Sequence, residues 1–225
     1  MTGFILKPFR DRVEVASDGA VYRTDGTVIG TQCKARLSDC LPLAVLGSGP
    51  VWLIDQLSDL IFRAARATQS VDETLRLIEG TLLKVGATSG FDTAVRMAIG
   101  TISETRGPTT FVFSTFEEEG GPAPLQLHEM PTGFGQGELP SGEDMLAMGL
   151  TGRSLEADAP HLFEFMRRRK RVNPTRPSAP PIFSIGGHLD LTVIRLEGYE
   201  QRVLKQWPDV IGEKIDPFKE EPAAA

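Results

Sequence analysis

The sequence predicts an α+β fold in which antiparallel sheets carry helices on their outer faces. Three observations predict it. Short extended segments separated by turn pairs fill the first fifty residues, two amphipathic helical stretches follow directly, and strand patterns return in the second half. Strand and helix do not alternate one by one, which argues against a doubly wound parallel sheet.

The elements follow in chain order. Arg12–Ser17 alternates apolar and polar side chains and stops at Asp18-Gly19, a turn pair. Ala20–Tyr22, the Asp25-Gly26 turn, Thr27–Ile29 and Cys33–Leu37 read as short extended pieces. Leu43–Leu46 is an apolar run closed by Gly47-Ser48-Gly49, as expected of a buried strand. From Val51 to Ala67, Leu53, Ile54, Leu57, Leu60, Ile61 and Ala64 recur at helical spacing behind Pro50. Ser70 and Glu73 form a capping-box pattern ahead of Leu75, Ile78, Leu82 and Val85. Asp92–Glu104 is expected to be a further helix, and Thr109–Ser114 a strand.

Glu117–Pro122 then reads as a hairpin tip, Leu125–Met130 as the returning strand, and 131–142, rich in Gly and Pro, as loop. Asp144–Gly149 is expected as a short apolar strand and Ala159–Lys170 as a helix. Its basic end, Arg167 to Arg171, is read as a solvated C-terminus complementing the helix dipole. Four prolines within 173–181 exclude regular helix or central strand there. His188–Leu196 and Tyr199–Trp207 complete the pattern as strands joined at Glu197-Gly198. The expected organisation is one domain over 1–217 and a flexible tail over 218–225.

The bulk properties narrow the function classes. The 225 residues carry a formal charge of −6, which offers no overall attraction for nucleic acid or anionic lipid. No apolar run approaches the roughly 20 residues that cross a bilayer, and the first residues lack the pattern of a secretory signal. A soluble protein made in the cytosol, with neither nucleic acid nor membrane as partner, is the expectation. Cys33 and Cys40 lack CxxC spacing and are expected to be reduced thiols. His128, His161 and His188 are scattered without metal-ligand spacing, so neither metal nor cofactor is expected. Gly47-Ser48-Gly49 is no dinucleotide fingerprint, because Trp52 stands where a third glycine is required.

One constellation carries chemistry. Thr2 would be the first residue once Met1 is removed. Val13–Ser17 leads into Asp18-Gly19, Lys34 follows sixteen residues beyond Asp18, and Leu43–Gly49 ends in a Gly-rich turn before the first helix. This arrangement resembles the N-terminal part of proteasome β-subunits and of the bacterial ATP-dependent peptidase related to them, which are N-terminal-nucleophile (Ntn) hydrolases. Gly186-Gly187 followed by His188–Ile194 is similar to a late block of that family, and Asp144–Gly149 to the strand before its third helix. The ending through Trp207-Pro208-Asp209 resembles uncharacterised proteasome-like proteins of bacteria and their prophages.

The resemblance implies a four-layer αββα sandwich and a threonine peptidase or amidase. Thr2 would be the nucleophile and its own amine the base. Lys34 would tune that amine, and Asp18 would hold Lys34. Backbone N–H groups of Gly47, Ser48 and Gly49 would form the oxyanion hole. It also implies a homo-oligomer or a place in a larger assembly, with peptide as substrate.

Other polar positions of the family are lost, because its two serines and its second aspartate fall on Leu150, Ile185 and Ile182. The alternative is a catalytically degenerate fold used as a structural or assembly subunit, as in a phage-derived particle. In that case Lys34–Asp18 is a structural ion pair and Thr2 an ordinary terminus.

Overall fold

The structure is a computed structural model that describes residues 3–88, 93–117, 123–172 and 178–219. Its elements in chain order are β1 (Phe4–Pro8), β2 (Val13–Asp18), β3 (Ala20–Tyr22), β4 (Val28–Thr31), β5 (Arg36–Leu37), β6 (Leu43–Ser48), α1 (Val51–Thr68) and α2 (Val71–Thr88). Next come β7 (Arg96–Ser103), β8 (Gly107–Ser114), β9 (His128–Glu129), β10 (Phe134–Gln136), α3 (Gly142–Ala147) and α4 (Leu155–Arg167). The last are β11 (Lys170–Arg171), β12 (Ile182–Phe183), β13 (His188–Arg195) and β14 (Gly198–Gln206).

Two five-stranded sheets, ordered β10-β1-β2-β13-β14 and β5-β6-β7-β8-β9, accompany two small ribbons, β3-β4 and β11-β12. The strand pairs in both large sheets and both ribbons are antiparallel. The α+β class with antiparallel sheets therefore holds.

Side chains of β1 and β2 alternate between two apolar clusters, as a pleat requires. Phe4, Leu6, Val13 and Val15 meet Ala44, Leu46 and Ala98 of the second sheet. Ile5 and Ala16 point the other way, toward Leu155, Leu162, Phe163 and Met166 of α4. The outer side of the second sheet buries Val45, Met97, Ile99 and Phe111 against Leu53, Leu57 and Ile61 of α1 and Leu75, Ile78 and Leu82 of α2. Both long helices thus lie on one sheet face, and Ser70 caps α2 by accepting from the Glu73 N–H at 3.3 Å. No helix among the described residues is long and apolar enough to cross a membrane.

Three expected elements differ. Asp92–Glu104 was expected as helix, but Arg96–Ser103 is the central strand β7. Its two faces belong to different cores, and a run that is apolar on both sides carries no period that separates strand from helix. Most of the expected strand Asp144–Gly149 lies instead in α3, an exposed helix that ends at Ala147 and is capped by a reciprocal Ser141–Asp144 box. The returning strand at 125–130 shrinks to His128–Glu129.

The basic end of α4 is not uniformly solvated either. Arg167 is 2% exposed and ion-paired to Asp209 at 2.8 Å. Most of the expected hairpin tip, much of the Pro-rich stretch and most of the tail lie outside the described residues.

Candidate functional site

Asp18 ends β2 at a completely buried position, between β1 and β13 in the sheet. Its carboxylate has two partners. Oδ1 accepts from the Gly3 backbone N–H at 2.9 Å, and the Asp18 N–H donates back to the Gly3 carbonyl at 3.1 Å. Oδ2 lies 2.9 Å from Lys34 Nζ. Lys34 sits in the link between β4 and β5, with its carbonyl held by Arg36 Nη1 at 3.2 Å and only 6% of its surface exposed. Burial pulls the Lys34 ammonium below its ordinary value of 10.5, and the Asp18 charge opposes that shift. Lys34 Nζ and Asp18 Oδ2 are both buried and neither has a hydrogen-bond partner among the described residues, so the contact between them is an ion pair.

Two glycines let the 185–187 loop close onto the backbone that follows Asp18. A side chain at Gly19 would overlap the His188 ring at 2.4 Å, and one at Gly186 would strike Asp209 Oδ2 at 2.5 Å. The gap is used for backbone bonds from Gly19 N–H to the His188 carbonyl (2.7 Å) and from Ala20 N–H to the Gly186 carbonyl (2.9 Å). The loop itself is held from behind. Arg167 grips Asp209 through two 2.8 Å bonds and donates to the Ile185 carbonyl, while Asp209 accepts from Gly187 N–H at 2.7 Å.

Lys34 opens on a cavity of about 70 Å³ that it shares with Tyr22, Gln32, Arg36, Gly47 and Gly49. Gly47 and Gly49 thus stand on the wall of the space that Lys34 faces. Ser48 is half-buried and pairs across the sheet with Arg96. A larger cavity, about 350 Å³, lies between Asp25, Lys170, Phe183 and Lys214. Of these two, the smaller is the better site despite its size, because Lys34 of the buried ion pair lines it. Thr2, the expected nucleophile, lies outside the described residues.

The three apolar replacements are packing groups. Ile185 is fully buried in the α4 cluster, Leu150 packs against the same cluster, and Ile182 faces Gly26.

Sequence reasoning missed several polar neighbours. Tyr22 lies within reach of the charges of both Asp18 and Arg171, and burial pushes its phenol well above the ordinary value. His188 Nε2 lies 2.9 Å from Asp190 Oδ2, whose carboxyl burial raises. Arg96 donates to Gln136 Oε1 between the rings of Phe116 and Phe134. Arg171 lies within the basic run, whose expected role is a solvated helix end, and His188 and Asp190 lie within the His188–Ile194 block, where the sequence assigns them no chemistry. No group of three or more His, Cys, Asp or Glu side chains among the described residues could hold a metal ion. Cys33 and Cys40 are free thiols.

Comparison with known proteins places the fold. No protein-family model matches the chain, and no curated protein matches it. Solved structures do. An Anbu mutant from Hyphomicrobium sp. strain MC1 superposes with a TM-score of 0.61 at 12% identity, covering 91% of this chain and 87% of that one. Anbu (ancestral beta-subunit) from Yersinia bercovieri gives 0.58 at 15% identity over 90% and 87%.

The resemblance to proteasome β-subunits is therefore corrected as a statement of family. No family model matches the sequence, and the stretch at 144–149 that helped carry the resemblance begins in helix α3 and is no strand. The resemblance to bacterial and prophage proteins is corrected with it, as no family model matches; within the fold, Trp207 and Asp209 bond to Glu164 and Arg167. What the chain shares with the Anbu structures is a proteasome-like fold.

Proposed function

We propose that this chain is an N-terminal-nucleophile hydrolase cleaving peptide or amide bonds. It would use Thr2 after removal of Met1, on a single four-layer αββα domain spanning 1–217. The observation that supports this most is the shared carboxylate of Asp18. One oxygen fixes the Gly3 N–H, the atom through which Thr2 is attached, and the other holds the buried Lys34 ammonium. A structural ion pair alone has no need to anchor the start of β1 as well.

In this reading the Thr2 hydroxyl attacks the substrate carbonyl carbon and its proton passes to the Thr2 α-amine. The Lys34 charge keeps that amine neutral and ready, and Asp18 keeps Lys34 charged against the effect of burial. The oxyanion meets backbone N–H groups of the Gly47-Ser48-Gly49 turn. The Thr2 α-ammonium so formed then returns its proton to the departing amine as the peptide C–N bond breaks. Water hydrolyses the remaining ester and restores Thr2.

We also propose that the chain assembles with copies of itself. Val51, Trp52 and Leu60 of α1 are 44%, 57% and 57% exposed on the helix that covers the second sheet.

A second reading, a catalytically silent assembly subunit, is favoured by one observation. Ile185 and Leu150 pack as apolar groups where the implied machinery has hydroxyls. Covalent labelling of mature protein with a threonine-directed electrophile separates the two readings.

A further inference from the structure

Two half-buried guanidiniums lie near the Lys34 cleft, and Arg171 keeps a buried donor with no acceptor among the described residues. Arg171 projects from β11, whose partner is Ile182. Its Nη1 is buried and has no hydrogen-bond acceptor among the described residues, and Arg171 is in no ion pair among them. Arg96, at the first position of β7, is held between two aromatic rings at 5.5 and 5.7 Å and donates to Gln136 Oε1. The same extended segment serves both arginines. Gln136 meets Arg96, and Glu138, two residues on, lies within charge range of Arg171. Glu138 is itself exposed and shared with Arg169 at 3.7 Å. Each guanidinium is destabilised by burial, and the Arg171 charge adds to the effect on Arg96.

Tyr22 joins this pair to the cleft. It lines the cavity that Lys34 faces and lies within reach of both Asp18 and Arg171. Lys34 is answered by Asp18 and lies within charge range of the buried Asp190, and Arg36 is engaged by Asp55 at 2.5 Å, whereas Arg171 is in no ion pair among the described residues. A buried donor without an acceptor is costly, and two neighbouring cations add repulsion. Both costs fall when one planar anion accepts from the fork.

We propose that Arg171 and Arg96 form a subsite for a carboxylate carried by a peptide that enters the Lys34 cleft. The site thus selects acidic over neutral peptides. The proposal rests on the cleft being a peptide site, but not on catalysis.

The test is equilibrium binding of labelled hexapeptides to the full chain carrying Thr2→Ala, so that nothing is turned over. One peptide has a central Glu and an amidated C-terminus. The second is its Gln counterpart, amidated. The third is the Gln peptide with a free C-terminal carboxylate. The expected result is binding at least about tenfold tighter for a carboxylate-bearing peptide than for the neutral one, the order of a charge-assisted hydrogen bond. Arg171→Gln should erase that preference while leaving neutral-peptide affinity unchanged. The Glu peptide winning assigns the carboxylate to a side chain, and the third peptide winning assigns it to a chain end.

Should Arg171→Gln fail to fold, Arg171→Lys keeps the charge without the fork and should retain only part of the preference. Equal binding of all three peptides, a preference that survives Arg171→Gln, or a preference undiminished in Arg171→Lys overturns the proposal. Acidic preference without any hydrolysis by wild-type protein leaves the subsite and removes the hydrolase. Hydrolysis of acidic and neutral peptides at equal kcat/KM does the reverse.

Discussion

Lys34 Nζ and Asp18 Oδ2 lie 2.9 Å apart at a position where the two side chains are 8% and 0% exposed, and the other Asp18 oxygen holds the Gly3 N–H. A buried pair of this kind is strongly destabilised when one member is removed, because the survivor keeps its desolvation cost without its partner. Asp18→Asn should therefore lower the unfolding free energy by roughly 3 kcal/mol or more, read from urea denaturation. A loss below about 1 kcal/mol would place the pair in solvent, where exposed ion pairs fall.

The same pair sets a pH dependence. Burial lowers the folded-state pKa of Lys34 below its ordinary 10.5, so the unfolded chain binds the proton more tightly. The contribution of this group to stability therefore rises with pH between the folded value and 10.5, because the unfolded state holds the extra proton there. Asp18 raises the folded value, so Asp18→Asn should extend that rising segment toward lower pH. Urea midpoints across this range, compared between wild type and Asp18→Asn, check the sign. A narrower segment in the variant would contradict it.

Arg167 and Asp209 should matter to the site at a distance. They hold the Ile185–Gly187 loop, whose Gly186 carbonyl accepts from the N–H groups of Gly19 and Ala20, the residues following Asp18. Arg167→Ala leaves Asp209 buried at 3% exposure without its partner and should cost roughly 3–5 kcal/mol. Amide hydrogen exchange at Gly19 and Ala20 should accelerate more than in the helix pair α1 and α2. Uniform acceleration would show a global loss without a specific tie between the loop and Asp18.

Gly47 is fixed by space. A Cβ there would lie 2.8 Å from both Ile54 Cγ atoms and 2.9 Å from Met97 Sδ, between α1 and β7. Gly47→Ala should destabilise by about 1–3 kcal/mol, the usual cost of overpacking, and should move α1 away from the cavity wall. A neutral substitution by thermal denaturation would refute the tight packing.

Assembly is read from α1. Trp52→Glu places a charge on its exposed apolar face and should lower the mass measured by light scattering at high concentration, with the monomer fold unchanged by circular dichroism. A wild-type mass near 24.5 kDa under the same conditions would contradict self-assembly through this face.

Much of the fold was legible because many elements obey one period each. α1 and α2 carry their apolar stripes at helical spacing, and β2, β13 and β14 are bounded by turn pairs. The Asp18-Gly19 turn and Lys34 were legible as a constellation because the chemistry of an activated hydroxyl asks for a held cation at the strand end. β7 was not legible, since Met97 and Ala98 are buried in opposite cores and leave no alternation. Arg167 and Arg171 were misread because a basic run looks alike whether its charges meet water or are folded inward. Only the later Asp209, 42 residues away, shows where Arg167 goes. Tyr22 was invisible for the same reason, because its neighbours Asp18 and Arg171 come together only in three dimensions.

The most direct test of the hydrolase proposal is mass spectrometry of protein released with Thr2 as its first residue and treated with a threonine-directed electrophile. The proposal predicts one adduct per chain, mapped to Thr2, absent in Thr2→Ala. With Lys34→Ala the adduct should form on the order of a hundredfold more slowly, the usual loss for an electrostatic group at a reacting centre. No adduct on a free Thr2, or an adduct on another residue with Thr2 untouched, would contradict it.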